Sequence, residues 1–311
     1  MKHNLKITAI ILLMFLMTQF IGLYVVNTYA TQAVVNGNVT NVTGKTLPYG
    51  MGFQDQQGQV PDLQSIIISF VFSFVIAVSL VFLLIKINAK LILKTWFFIV
   101  VVIALGISIT AFLPSVSYAA WIGLGIGALL AFLKFYRRGF LTHNLTELLI
   151  YPGIAAVFVP VIGIWGIVIL LVIISIYDMW AVWKSKIMQK MAKYQMDKLN
   201  IFGGFFIPYA SKKVKEKIKL YKAKGKNIKK MKFKVNVAIL GGGDIIFPII
   251  ASGVVLKIWG LVPAAMITFG AFLGLTGLLF FSEKKKFYPA MPFITIGIFL
   301  ALAVDYLIFV I

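Results

Sequence analysis

Apolar residues in this chain come in long blocks separated by short polar segments. Nine such blocks can be drawn: Ile7–Val26, Leu63–Ile85, Thr95–Leu113, Tyr118–Leu133, Leu145–Val161, Ile162–Trp183, Val235–Leu256, Ile258–Phe281 and Tyr288–Ile311. Each is close to the ~20 residues a helix needs to cross about 30 Å of hydrocarbon. None shows the alternating apolar and polar positions of a barrel strand. The pattern predicts an all-α, polytopic membrane protein with nine transmembrane helices. Pro114-Ser115-Val116-Ser117 and Pro160-Val161-Ile162-Gly163 read as tight hairpins between consecutive helices.

Two polar segments are long, and they divide the chain. Residues 1–183 hold six helices and a polar loop at 27–62; 184–234 form a basic loop; 235–311 hold three helices. The 27–62 loop carries Asn38-Val-Thr and Asn41-Val-Thr, both glycosylation acceptors in form. The segment Lys184–Leu199 can extend the sixth helix along an amphipathic face. Thr28-Tyr29-Ala30 resembles a signal-peptide cleavage site, but the apolar stretch before it is longer than a usual h-region, so an uncleaved anchor is expected. No internal repeat is visible, which disfavours an inverted-repeat transporter.

Composition agrees with a membrane protein. Of 311 residues, 61% are hydrophobic, and the mean hydropathy is +0.98. The net charge is +21, and with nine crossings all 30 Lys and Arg except Lys45 and Lys257 fall on one face. That asymmetry places the N-terminus in the cytoplasm and the C-terminus outside. It also accounts for the basic loop as a surface for anionic lipid headgroups rather than for nucleic acid. There is no cysteine, and His3 and His143 are too few and too far apart for a metal cage. No metal or cofactor is expected.

Two carboxylates then stand out. Asp178 lies in Ile176-Tyr177-Asp178-Met179-Trp180, and Asp244 in Gly241-Gly242-Gly243-Asp244-Ile245. An acid in hydrocarbon costs about 2.5–3.5 kcal/mol on insertion scales and marks function by default. Asp178 is six residues before Lys184, about 9 Å of helix; Asp244 is ten residues after Lys234, about 15 Å. The two helices run antiparallel, so both acids are expected at similar depth in the cytoplasmic half. Gly241, Gly242 and Gly243 are expected to let another backbone approach, and Pro248 to distort the helix nearby. Two carboxyls in low dielectric share one proton, which equips one to activate water and the other to protonate a scissile carbonyl. Pro289-Ala290-Met291-Pro292 opens the last span with freed backbone groups. Of the remaining acids, Asp305 is expected to be hydrated near the outer interface, and Glu147 reads as a first-turn acid of the fifth span.

Tyr-Asp, Gly-x-Gly-Asp and a Pro-Ala-Leu-like turn in that order resemble the presenilin and signal peptide peptidase family of intramembrane aspartyl proteases, with archaeal presenilin homologues nearest. The resemblance covers roughly residues 163–300. It implies that Asp178 and Asp244 are the catalytic dyad and that Tyr177, Gly241, Gly243, Pro289, Ala290 and Met291 shape the site, with Met291 in place of leucine. It implies substrates that are transmembrane helices of other proteins, hydrolysed by water without a cofactor. The charge asymmetry sides with presenilin topology rather than the opposite topology of signal peptide peptidase. An ion or proton channel using the same aspartates is the alternative, but it leaves the Pro-Ala-Met-Pro turn unexplained. A prepilin-type peptidase leaves it unexplained as well, and a purely structural carboxyl pair is the third alternative. The oligomeric state is not legible.

Overall fold

The computed structural model describes residues 5–30, 32–35, 38–41, 44–51, 89–137, 139–185, 203–209, 236–282 and 288–309, and single positions between 72 and 87. The described chain is mainly helical: α1 (Leu5–Thr28), α2 (Lys90–Phe112), α3 (Ala119–Tyr136), α4 (Phe140–Phe158), α5 (Ile164–Trp180), α6 (Gly242–Trp259), α7 (Leu261–Phe281) and α8 (Met291–Phe309). Two antiparallel ribbons accompany them. Strands β1 (Gln32–Val35) and β2 (Asn38–Asn41) form one, and β3 (Gly204–Tyr209) pairs with β4 (Asn236–Gly241) in the other.

Seven of these helices, all but α4, are long and apolar enough to cross a membrane. The predicted span Leu63–Ile85 lies outside the described residues except for Phe72, Ile76, Ser79, Leu80, Leu83 and Leu84, which are helical. Most of the segment expected to extend the sixth helix, Lys184–Leu199, also lies outside them. Helix α4 is less apolar because His143, Asn144, Thr146 and Glu147 fill its first two turns, and it begins five residues before the predicted Leu145.

The largest departure from the sequence pattern is at residues 235–241. The predicted span Val235–Leu256 does not begin as helix: Asn236–Gly241 is strand β4, and the helix starts only at Gly242. Val237, Ile239 and Leu240 suit a strand, and Gly241 ends it with extended torsions.

Helix α6 is the hub of the bundle. It packs against α1, α4, α5, α7 and α8, and buries Ile245, Ile249, Val254 and Val255 almost completely. Small residues allow close approach elsewhere. Gly270 and Gly274 on α7 meet the backbone of α8 at Gly297 and Phe293, the four-residue spacing expected when lipid supplies no hydrophobic drive between helices. Gly260, at φ +94°, makes the sharp turn from α6 to α7. At the C-terminal end of α2, the Lys45 ammonium donates to the carbonyls of Thr110, Ala111 and Leu113 and so closes the helix.

Two acids behave differently from the sequence reading. Glu147 is not a first-turn acid: α4 begins at Phe140, which puts Glu147 in the second turn, where it is 2% exposed and ion-paired with buried Lys134. Asp305 is not exposed at an interface: it is buried, and its carboxylate has no hydrogen-bond partner among the described residues.

Candidate active site

Asp178 lies on the last full turn of α5, where the sequence places it. The helix widens into a π turn at Ala181–Ser185 immediately afterwards, a feature common at functional sites. The carboxylate is buried. Its Oδ2 accepts the backbone N–H of Met291 at 3.1 Å. Met291 is the first residue of α8, so its N–H has no partner within the helix. The Pro289–Pro292 turn therefore comes directly onto Asp178. One of the backbone groups freed at that turn, the Met291 N–H, is thus taken up by Asp178. One turn earlier on α5, Ser175 and Thr295 of α8 share a hydrogen bond of 2.8 Å between their hydroxyls. The α5–α8 seam thus carries two polar ties.

Asp244 is in the first turn of α6, not in mid-helix. The strand-to-helix junction lies three residues before it, so a polar backbone terminus and the acid share one place. Its carboxylate folds back so that Oδ2 would be 3.1 Å from a Cβ on Gly241. Pro248 has no N–H to donate to the carbonyl of Asp244, which leaves that oxygen without its helical partner. Helices α5 and α6, which carry the two acids, pack together.

The glycines act differently from the expectation. The close neighbours at Gly241 and Gly242 are side chains, not another backbone. A Cβ on Gly242 would lie 2.8 Å from the Tyr151 hydroxyl and 2.9 Å from its ring, whereas one on Gly243 would meet only Phe247, at 3.6 Å. Gly242, the variable position of the motif, is thus the tightest of the three. Tyr177 is exposed, its ring 6.3 Å from that of Trp180. Pro289 and Met291 are buried and Ala290 is partly so.

Several site neighbours were not singled out in the sequence. Gln19 of α1 donates from Nε2 to the carbonyl of Ile245, next to Asp244, at 3.0 Å. Its signal was present: an amide inside a 24-residue apolar helix. Tyr151 and Asn144 carried no such signal, and Glu147 read only as a first-turn acid, because their roles depend on the β3–β4 ribbon. Among the described residues, no group of three or more His, Cys, Asp or Glu could hold a metal ion.

A family model described as signal-peptide peptidase, presenilin aspartyl protease matches residues 39–311. Two solved structures, each described as a presenilin family intramembrane aspartate protease, share the fold. The one in space group C222 has a TM-score of 0.55 at 18% identity over 94% of both chains. The one in space group P2 has a TM-score of 0.57 at 17% identity over 96% of both chains. No curated protein sequence matches.

Proposed function

The chain belongs to the signal-peptide peptidase and presenilin family of aspartyl proteases, and from that premise we propose that it cuts peptide bonds within transmembrane segments of other proteins, with Asp178 and Asp244 as its dyad. It is an aspartic endopeptidase and a multi-pass membrane protein.

One observation carries the assignment. The two acids that the apolar pattern makes anomalous are on the packed helices α5 and α6, and one of them is fixed by the turn that opens α8. In the proposed reaction, one carboxylate takes a proton from water as the oxygen adds to the scissile carbonyl carbon. The other, protonated, donates to the carbonyl oxygen. The tetrahedral species then collapses as the C–N bond breaks and a proton passes to the amine.

The substrate must be extended at the cut, because a helical peptide bond is shielded by its own hydrogen bonds. Strand β4 leads into Asp244 within three residues. In β3, the backbones of Gly204 and Phe206 face α4, so β3 pairs with β4 through Phe205, Ile207 and Tyr209. The opposite edge of β4 therefore carries the backbone groups of Val237 and Ile239, where an extended segment can add as a further strand. Nine crossings follow if α4 and the 63–85 segment join the seven long apolar helices, with the N-terminus in the cytoplasm and the basic 184–234 loop against anionic lipid.

The test is cleavage of a labelled transmembrane peptide by the purified protein in detergent, with Asp178→Asn and Asp244→Asn alongside. Each variant is expected to lose activity by at least about a thousandfold while remaining folded. Variants as active as the parent would return the aspartates to an ion-pathway role.

A further inference from the structure

The first two turns of α4 present three polar side chains to one edge of β3. Glu147 Oε2 accepts the Gly204 N–H at 3.3 Å. His143 Nε2 lies 2.9 Å from the Gly204 carbonyl, and His143 Nδ1 is 3.3 Å from the Lys134 ammonium. The tautomer with its hydrogen on Nε2 satisfies both contacts, since lysine can only donate and a carbonyl can only accept. Asn144 pairs with Phe206 twice: Nδ2 donates to the Phe206 carbonyl at 3.0 Å, and Oδ1 accepts the Phe206 N–H at 3.2 Å.

These contacts reproduce the pattern of a neighbouring strand. In an antiparallel ribbon, alternate residues turn both backbone groups to the same edge. Gly204 and Phe206 are two such residues. Pro208, the next on that edge, has no N–H to leave unpaired. Side chains of a helix thus close one edge of β3, while β4 holds the other. Lys134 neutralises Glu147 within this buried group. One turn beyond Glu147 on the same face, Tyr151 packs its hydroxyl against Gly242. The same helix therefore grips β3 at one point and the start of α6 at another.

We propose that Asn144, Glu147 and His143 are positioning residues that clamp β3, and through β3 and β4 fix where the Gly241–Asp244 junction meets the scissile bond. With one edge of the ribbon sealed by α4, an incoming chain has only the β4 edge, which sets the register of the bond presented to Asp244. The consequence for cleavage rests on the protease reading above; the clamp itself does not.

The experiment compares wild type, Asn144→Leu and Asn144→Asp in detergent by amide hydrogen exchange and by cleavage of a labelled transmembrane peptide with mass-spectrometric mapping of the cuts. Leucine keeps the shape of asparagine without its bonds. Aspartate keeps the acceptor for the Phe206 N–H, loses the donor, and serves should the leucine variant not fold. Exchange across Gly204–Tyr209 is expected to accelerate by about tenfold or more in Asn144→Leu, which removes both bonds to Phe206, with α7 and α8 unchanged. In the same variant kcat is expected to fall by about tenfold and cuts to spread to neighbouring bonds, with a smaller change in KM. A merely structural role moves stability and leaves the cut position alone. Unchanged protection of β3 overturns the clamp, and lost protection with an unaltered cut pattern overturns its role in positioning the scissile bond. A wild type that cuts nothing overturns the protease reading, and the exchange result then decides the clamp by itself.

Discussion

Asp178 and Met291 are 113 positions apart in the chain, yet the Met291 N–H donates to Asp178 Oδ2 at 3.1 Å. The contact is between a side chain and a backbone, so it depends on the turn that precedes α8 rather than on the identity of residue 291. That accounts for methionine standing where the family motif has leucine. Both are flexible, apolar and of similar volume.

Substitution at Met291 should divide accordingly. Met291→Leu keeps the N–H and is expected to cleave within about twofold of wild type. Met291→Pro removes the donor at a position whose torsions proline tolerates. A hydrogen bond to a carboxylate contributes about 1.5–3 kcal/mol, so kcat should drop by roughly tenfold to a hundredfold. Side-by-side kinetics on one transmembrane peptide decide it, and equal activities would show that the bond does not orient Asp178 for chemistry.

The three glycines before Asp244 should not respond alike. Gly242→Ala drives a methyl against Tyr151, and overpacking of this kind costs about 1–3 kcal/mol. Gly243→Ala makes an ordinary contact with Phe247 and should leave stability nearly unchanged. Gly241→Ala presses on the Asp244 carboxylate itself, so its effect should appear in kcat rather than in thermal stability. Melting temperatures and kcat for the three variants check the order. Tyr151→Phe should rescue Gly242→Ala only in part, because the ring carbon remains 2.9 Å from the added methyl.

These contrasts show where the sequence was informative. Asp178 and Asp244 were conspicuous because a carboxylate inside an apolar run needs a reason, and the Pro289–Pro292 turn was visible because two prolines forbid regular helix. The junction at Gly242 was hidden. Asn236-Val-Ala-Ile-Leu-Gly continues directly into the apolar α6, and a short apolar run reads equally as buried strand or as helix. Lys134 was counted among the loop cations because its partner Glu147 is 13 positions away, across a turn. Asp305 was assigned to water by its nearness to the C-terminus, yet the bundle encloses it.

The Ser175–Thr295 bond offers a measure of the α5–α8 seam. Interhelical hydrogen bonds in membrane proteins average about 0.6 kcal/mol in double-mutant cycles. Ser175→Ala, Thr295→Val and the double variant are expected to show a coupling near that size in unfolding free energy. Because the bond is three residues from Asp178, the double variant should also lower kcat a few-fold. A coupling of zero would mean that packing alone holds the seam.

The Lys134–Glu147 pair separates stability from positioning. Both side chains are almost fully buried, and removing one partner strands the other, which costs about 3–5 kcal/mol in comparable sites. Lys134→Met alone should therefore be strongly destabilising. Lys134→Met combined with Glu147→Leu removes both charges, and replacing a buried pair with apolar residues of similar size is often close to neutral. The double variant should regain most of the lost melting temperature. It cannot regain the Glu147 acceptor for the Gly204 N–H, so its activity should stay below wild type even at temperatures where it is fully folded. Measuring melting temperature and kcat on the same preparations tests both halves. Recovery of activity together with stability would reduce the pair to a packing element, whereas stable but impaired protein places the Gly204 contact in the line that leads through β3 and β4 to Asp244.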